Sequence, residues 1–512
     1  MNADHHSISE NSVYCAFERS SRRYGDKLAL VFEQRQWSFR EICRAVERVA
    51  AGLTQLGIQP GQRLVAFAQN SDAYLLLWLA CARQGIVHVP LNYALTSPEL
   101  AYIVEDAGAT ALFHDLKQTG TVDDLEPHKR PQFVGSLCGS GNLDVLNWAL
   151  DERMGEVQRT APADDELAQI IYTSGTTAAP KGVMHTHRSL MSQYYSCIIA
   201  LDLKEDDRLL AALPLYHCAQ MHTFSMPSLL VGASNFILQS PEIEGCLALI
   251  EAEQLNSFFA PPTVWTGLLR HKSTSGSVIR SLRKAYYGAS IMPEEILNGM
   301  KELLPAVGFY NCYGQTEIAP LATVLPPAGH VHKPTSVGLP VINVQTRIVN
   351  EELEDMAPGE VGEIVHRSPQ LLAGYWQKPE ATEEAFAGGW FHSGDMGYID
   401  DDGYIYIADR KKDVINTGGV VVSSREVEEA LYGHPSVSQV AVIGIADDKW
   451  IEAICAVVVP MEGHELNTEE LNDHLRTRLA PYKLPKKYIS TDELPVNTAG
   501  KVLKRELRER YA

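Results

Sequence analysis

The stretch Tyr172–Val183 reads Tyr-Thr-Ser-Gly-Thr-Thr-Ala-Ala-Pro-Lys-Gly-Val and follows a short apolar run, Leu167–Ile171, of strand character. Hydroxyl side chains, a glycine and a single lysine suit a loop that wraps an anion with backbone N–H groups better than they suit a packed core. Gly175 and Lys181 have the spacing of a Walker A loop, but Pro180 stands where its second glycine belongs and Gly182 replaces the Ser/Thr that would reach Mg²⁺. This is a phosphate loop of another kind.

Further residues suit the same chemistry. Tyr313-Gly-Gln-Thr-Glu317 follows the predicted strand Gly308–Tyr313, and loops at the carboxyl ends of parallel strands are where ligands gather. Thr316 and Glu317 offer hard oxygens of the kind Mg²⁺ takes when phosphates complete its shell. Gly288-Ala289-Ser290 follows the strand Lys284–Tyr287, and its small side chains let a flat base approach the backbone. Asp395, in a tight Ser-Gly-Asp turn, has the carboxylate that pairs with two ribose hydroxyls, although an Asx turn is the commoner use of such a residue. His217, after Pro-Leu-Tyr, and Lys501, in Pro495-Val-Asn-Thr-Ala-Gly-Lys501, read by themselves as a structural histidine and a solvated lysine.

Together these blocks closely resemble the adenylate-forming enzymes: acyl-CoA synthetases, peptide-synthetase adenylation domains and firefly luciferases. Ala178 stands where the family pattern has glycine. The resemblance implies that Thr173, Ser174, Gly175, Thr176, Thr177 and Lys181 cradle the ATP phosphates. It implies that Gly288, Ala289 and Ser290 form one wall of the adenine pocket and that Tyr313, Gly314, Gln315 and Thr316 lie opposite, with Thr316 toward the α-phosphate. Glu317, helped by Thr173, would bind Mg²⁺; Asp395 and Arg410 would hold the ribose; His217 would flank the carboxylate pocket. Lys501 would reach the acyl carboxylate and α-phosphate, where a fixed cation lets two anions approach. Lys412 matches the hinge position, and Gly418–Gly419 the loop that shapes a pantetheine tunnel.

The elements that position these residues alternate. Strand-like runs at Leu28–Phe32, Arg63–Phe67, Val87–Pro90 and Thr110–His114 are separated by helical stretches, which predicts an α/β domain with a parallel sheet. Ser97 is read as the cap of a helix carrying Pro98 in its first turn. Residues 117–163 read as a long surface connection with one helix near Leu143–Leu150. Between Ser336 and Asp409 short β runs predict a small barrel or distorted sheet. Beyond Asp409-Arg-Lys-Lys-Asp413, capping signals at Ser423–Glu426 and Asn467–Glu470 and apolar strands at Val437–Ile445 and Ala453–Val459 predict a small α+β domain. The expected organisation is an adenylation domain over 1–409, a hinge at 410–412 and a mobile domain over 413–512.

The chain has 512 residues, 45 % hydrophobic and 21 % charged, and a formal net charge of −20. The length suggests more than one domain, and the charge opposes broad nucleic-acid binding. Nine scattered cysteines without metal or redox spacing suit reduced thiols in a cytoplasm. No transmembrane segment is expected, and only peripheral contact with a bilayer stays open.

The reading is an ATP- and Mg²⁺-dependent acyl-CoA ligase. A carboxylic acid attacks the α-phosphate, and the acyl-adenylate then passes its acyl group to coenzyme A. Val414–Leu431 looks most like bacterial fatty-acyl-CoA synthetases, so a medium- or long-chain fatty acid is the first expectation and an aryl acid the second. A stand-alone enzyme that loads a carrier protein is the main alternative. No acidic residue between Ala219 and Phe236 is available for an amino acid's ammonium group, and no serine-bearing phosphopantetheine site is evident. A non-catalytic binding module is a third reading, opposed by the presence of Lys181, Glu317, Asp395 and Lys501. By resemblance a homodimer is expected.

Overall fold

The computed structural model describes residues 11–139, 141–155, 157, 161–173, 180–290, 292–410, 413–417, 420–447, 450–498 and 500–511. The parallel-sheet α/β layers expected from the alternation take the form of two large sheets. The first runs Leu339–Pro340, Leu321–Leu325, Gly308–Gly314, Lys284–Gly288, Ser257–Ala260, Arg208–Ala211, Ser234–Ile237, Leu28–Phe32, Arg35–Ser38. Its six central strands are parallel, while Arg35–Ser38 and Leu321–Leu325 join it antiparallel. The second runs Gly374–Tyr375, Lys181–Thr186, Leu167–Thr173, Val87–Leu91, Arg63–Phe67, Ala109–His114, Phe133–Ser136. The phosphate-loop strand is thus one arm of an antiparallel hairpin, with Thr173 paired to Lys181.

The helix Asp72–Gln84 lies between the sheets, packed on Val87–Leu91 of one and Leu28–Phe32 of the other. It is buried on all sides, as its almost unbroken apolar sequence requires. Its one early charge, Asp72, is fully buried and accepts from Arg35 Nε and Nη2 (2.7 and 2.9 Å) and from Trp37 Nε1 (2.8 Å). One continuous core joins Leu30, Phe32 and Ile237 of the first sheet to Leu64, Ala66 and Phe113 of the second through Leu76, Trp78 and Leu79.

Two local expectations are corrected. The helix Ser97–Ala107 is capped by Thr96, because the Glu99 carboxylate accepts from both the Thr96 N–H (2.8 Å) and its hydroxyl (2.7 Å). Residues 117–163 are not wholly a surface connection: Phe133–Ser136 extends the second sheet, and Val145–Leu150 brings Trp148 into the core. The β-rich run forms a four-stranded antiparallel sheet in the order Gln345–Val349, Gly362–Arg367, Phe391–Ile399, Ile405–Arg410.

After residue 410, Val437–Asp447 and Ile451–Pro460 make a long hairpin joined by Ile415–Thr417, Val420–Val422 and the parallel strand Lys487–Ser490. The helices Ser424–Tyr432 and Thr468–Arg476 are capped by Ser423 and Asn467 as the sequence signals. All nine cysteines are unpaired, and seven are buried. Among the described residues no helix is long and apolar enough to cross a membrane.

Candidate active site

The expected nucleotide residues gather where the two sheets face each other. Gly288 and Gly314 end adjacent strands of the first sheet, with Gly288 in register with Cys312. Thr173 and Lys181 flank the hairpin turn of the second. A hydrogen bond between His185 Nε2 and the Thr316 carbonyl (2.8 Å) ties the sheets together there. Gly314 is required by close approach, since a Cβ at that position would meet the Pro320 carbonyl oxygen at 1.8 Å.

Lys181 and Glu317 are brought together through Tyr375. The Lys181 ammonium sits 5.0 Å from the centre of the Tyr375 ring, and the Tyr375 hydroxyl donates to Glu317 Oε1 (3.1 Å). Burial and the neighbouring carboxylate raise the pKa of Tyr375, so the phenol stays protonated and holds the Glu317 oxygen in place. The Leu372 N–H donates to the Glu317 carbonyl (2.8 Å) and fixes its backbone. Among the described residues no group of three or more His, Cys, Asp or Glu side chains could hold a metal by itself. Glu317 and Thr173 supply hard oxygens in a half-buried setting, a donor set that fits Mg²⁺ sharing phosphate oxygens.

On the other side, Tyr313 Oη donates to Asp395 Oδ2 (2.7 Å), and Asp395 is paired across its sheet with Arg410. The expected adenine and ribose residues therefore adjoin. Ser174, Gly175, Thr176, Thr177, Lys412, Gly418 and Gly419, and the Arg410 side chain, lie outside the described residues.

The segment Pro214–Cys218 forms the acid end. Asn70 pins it, donating to the Ala212 and Leu213 carbonyls (3.3 and 2.9 Å) and accepting from the Leu215 N–H (2.7 Å). A turn of π-helix, Ala219–Ser225, follows, a geometry often found at functional sites. His217 Nδ1 accepts from the Ala219 N–H (3.2 Å), and burial, aided by the charge of Lys501, pushes its pKa down to about 4. It is therefore neutral at pH 7, with its proton on Nε2. A small apolar pocket beside it is lined by Leu213, Pro214, Ala219, Gln220, Phe259 and Ala289. Behind Phe259 aromatic rings follow in series: Phe224 at 4.4 Å, then Tyr286 at 4.9 Å and Tyr310 at 4.9 Å.

Several bracing residues have no contiguous sequence signal. His222 Nδ1 bonds Tyr194 Oη (2.7 Å), and its Nε2 bonds Gln169 Oε1 (2.7 Å); Gln169 in turn bonds His88 Nδ1 (2.9 Å). This chain joins the pocket wall to the strand that ends in Thr173. Cys218 Sγ lies 3.4 Å from Thr316 Oγ1. A spatial arrangement of this kind can bring a carboxylate beside a nucleotide's phosphates, between two lysines and a neutral imidazole.

Known proteins share the arrangement's sequence and fold. Residues 17–376 match the AMP-binding enzyme family, and residues 426–501 match the AMP-binding enzyme C-terminal domain. A feruloyl-CoA synthase of Amycolatopsis sp is 37 % identical over 474 residues, which are 93 % of this chain and 94 % of that protein. A long-chain-fatty-acid–CoA ligase of Mycobacterium tuberculosis is 33 % identical over 485 residues, 93 % of each chain. An anthranilate CoA ligase solved in complex with anthranoyl-AMP superposes with a TM-score of 0.90 at 25 % identity, covering 98 % of this chain and 97 % of that one. With its motifs gathered at one cleft and both family regions in order, the chain belongs to the AMP-binding enzyme family.

Proposed function

We propose that this AMP-forming acid–thiol ligase activates an aryl acid with ATP and transfers it to coenzyme A. The observation that carries the choice of acid is the pocket beside His217, which is small and backed by the ring series Phe259, Phe224, Tyr286 and Tyr310. Phe259, the ring of the series that lines the pocket, offers a face on which a flat ring can stack. The likeness to a feruloyl-CoA synthase supports the same choice over the fatty acid first expected from the sequence.

In this reading the carboxylate lies between His217 and Lys501. Neutral His217 offers its Nε2–H and adds no second cation, so Lys501 alone supplies the charge that lets carboxylate and α-phosphate approach. Lys181 and the phosphate loop hold the pyrophosphate as it departs. Thr173 and Glu317 are the residues that would hold Mg²⁺, whose charge offsets that of the leaving group. Asp395, positioned by Tyr313, binds the ribose together with Arg410. A coenzyme A thiol then displaces AMP from the acyl carbon, giving the thioester. For that second step the unit 413–512 turns about a hinge at 410–412, centred on Lys412, and presents Gly418–Gly419.

Pyrophosphate release across aryl and fatty acids, with and without coenzyme A, tests the reading. Coenzyme-A-dependent turnover peaking with aryl acids is expected. A peak with medium- or long-chain fatty acids overturns the choice of acid, and turnover indifferent to coenzyme A overturns the acceptor.

A further inference from the structure

We propose that Tyr216, Thr498 and Asn92, with Thr263, form a latch that holds the Lys501 loop over the acid pocket for adenylation only. The proposal rests on the ligase reading above, in that Lys501 serves the first of two half-reactions.

The loop is built to carry Lys501 as a rigid unit. Val496 pairs with Val502, the Asn497 N–H donates to the Lys501 carbonyl (2.9 Å), and the Lys501 N–H donates to Asn497 Oδ1 (2.9 Å). These bonds lie within the C-terminal unit and say nothing of where the loop rests. Its position is set by a second group of bonds that cross to the other body. Thr498 Oγ1 is hydrogen-bonded to Tyr216 Oη and donates to Asn92 Oδ1 (3.3 Å). A threonine hydroxyl has one proton, so the direction is fixed: Tyr216 donates to Thr498, and Thr498 donates to Asn92. Asn92 Oδ1 is itself held by the Ala94 N–H (3.0 Å), and the Tyr93 ring packs edge-on against Tyr216 with centroids 6.0 Å apart.

A separate bond acts two residues further on. Thr263 Oγ1 donates to the Gly500 carbonyl (3.1 Å). Gly500 has a φ of +79°, and a Cβ there would meet Thr263 Oγ1 at 2.6 Å and Pro261 Cγ at 2.8 Å. Only glycine fits this contact. Lys501 follows directly, and its charge is felt at His217, the neighbour of Tyr216. Each cross-body bond is a neutral hydrogen bond, strong enough to bias a rotation and weak enough to part.

The test separates the half-reactions. Tyr216→Phe is expected to slow acid-dependent pyrophosphate–ATP exchange roughly ten-fold, the worth of about one hydrogen bond, and Thr498→Val, which removes the bonds to both Tyr216 and Asn92, at least as much. Thioester formation from supplied acyl-adenylate and coenzyme A should stay within about two-fold, and Thr498→Ser should restore exchange. The double variant should lose no more than Thr498→Val alone, since that substitution already removes the bond to Tyr216. Equal loss in both half-reactions, or loss in neither, overturns the latch. An activity-independent arm keeps the two proposals apart: amide hydrogen exchange over 496–502 in the substrate-free protein should be faster in both variants than in wild type. Unchanged exchange rates there overturn the latch whatever the catalytic result. A wild-type protein inert with every acid, with faster amide exchange in both variants, overturns the ligase reading and the latch's role in adenylation, and leaves only the loop contact itself.

Discussion

The two bodies that meet at the site are held by different physics. Before residue 410 the cohesion is apolar: one core runs through both sheets by way of the helix Asp72–Gln84. After it, the C-terminal sheet has its own apolar clusters on its two faces, around Val440, Val442 and Ile454 and around Ala441, Ile443 and Val457. Among the described residues no apolar cluster includes members from both sides of the expected hinge. Across that junction run polar bonds such as Arg270 to Ser438 (2.8 and 2.9 Å) and the Glu294 N–H to Glu429 (3.0 Å), besides those at Tyr216 and Thr263. A junction of exchangeable hydrogen bonds costs little to part, because water replaces each partner. The junction, and not either core, is therefore where the two bodies can part at low cost.

Acid should break the contrast most strongly. Burial holds His88 at a pKa of about 3 and His185, His187 and His366 at about 4, all in the larger body. The unfolded chain takes up protons on these groups near pH 6.5, whereas the folded one does not. Stability is therefore full above that value and declines as pH falls from about 6.5 toward 4. Tryptophan fluorescence reports this body, since six of the seven tryptophans precede residue 410, and the melting temperature it gives should fall steadily through that window. A flat profile between pH 7 and 5 would contradict the burial argument.

Lys501→Ala addresses the junction. It should slow adenylation by about a hundred- to a thousand-fold, the usual cost of losing one preorganised charge, while sparing thioester formation from supplied acyl-adenylate. Parallel loss in both halves would mean that the smaller unit does not change position between steps. Asp72→Ala should then destabilise the larger body by about 2–3 kcal/mol in denaturant unfolding, because Arg35 and Trp37 lose their shared acceptor. The unfolding of the C-terminal sheet should not follow it. The smallest effect is expected from Arg270→Ala at the exposed rim: under about 1 kcal/mol in stability and at most a few-fold in either half-reaction.

The sequence was most legible where function demands contiguous backbone. Tyr313–Glu317 and Gly288–Ser290 each sit at a strand end, because a loop that approaches a ligand must be built from neighbours. Asp395 instead lies within the strand Phe391–Ile399, just after the positive φ of Gly394, and not in the tight turn its Ser-Gly-Asp sequence suggests. Illegible were the side chains that brace those loops. Asn70 acts on residues about 140 positions away, Tyr375 reaches Glu317 from 58 positions on, and Gln169 joins His88 and His222. None has a periodicity or a neighbour to announce it. The separation of two sheets was hidden for the same reason: alternation gives the order of strands along the chain but not which strands share a ladder. Short strands such as Ser234–Ile237 and Phe133–Ser136 carry too few residues for a pattern. The cap at Thr96 rather than Ser97 was decided by which hydroxyl Glu99 could reach.

The buried helix Asp72–Gln84 also works as a spacer of fixed thickness. Its side chains fix the distance between Val87–Leu91 of one sheet and Leu28–Phe32 of the other, the same two sheets that carry Thr173 and Lys181 on one side and Gly288 and Gly314 on the other. Leu76, fully buried and distant in sequence from every expected nucleotide-binding motif, is thereby part of what holds the two sheets at their spacing. A change in the volume of such a residue therefore bears on how far apart the two sheets stand.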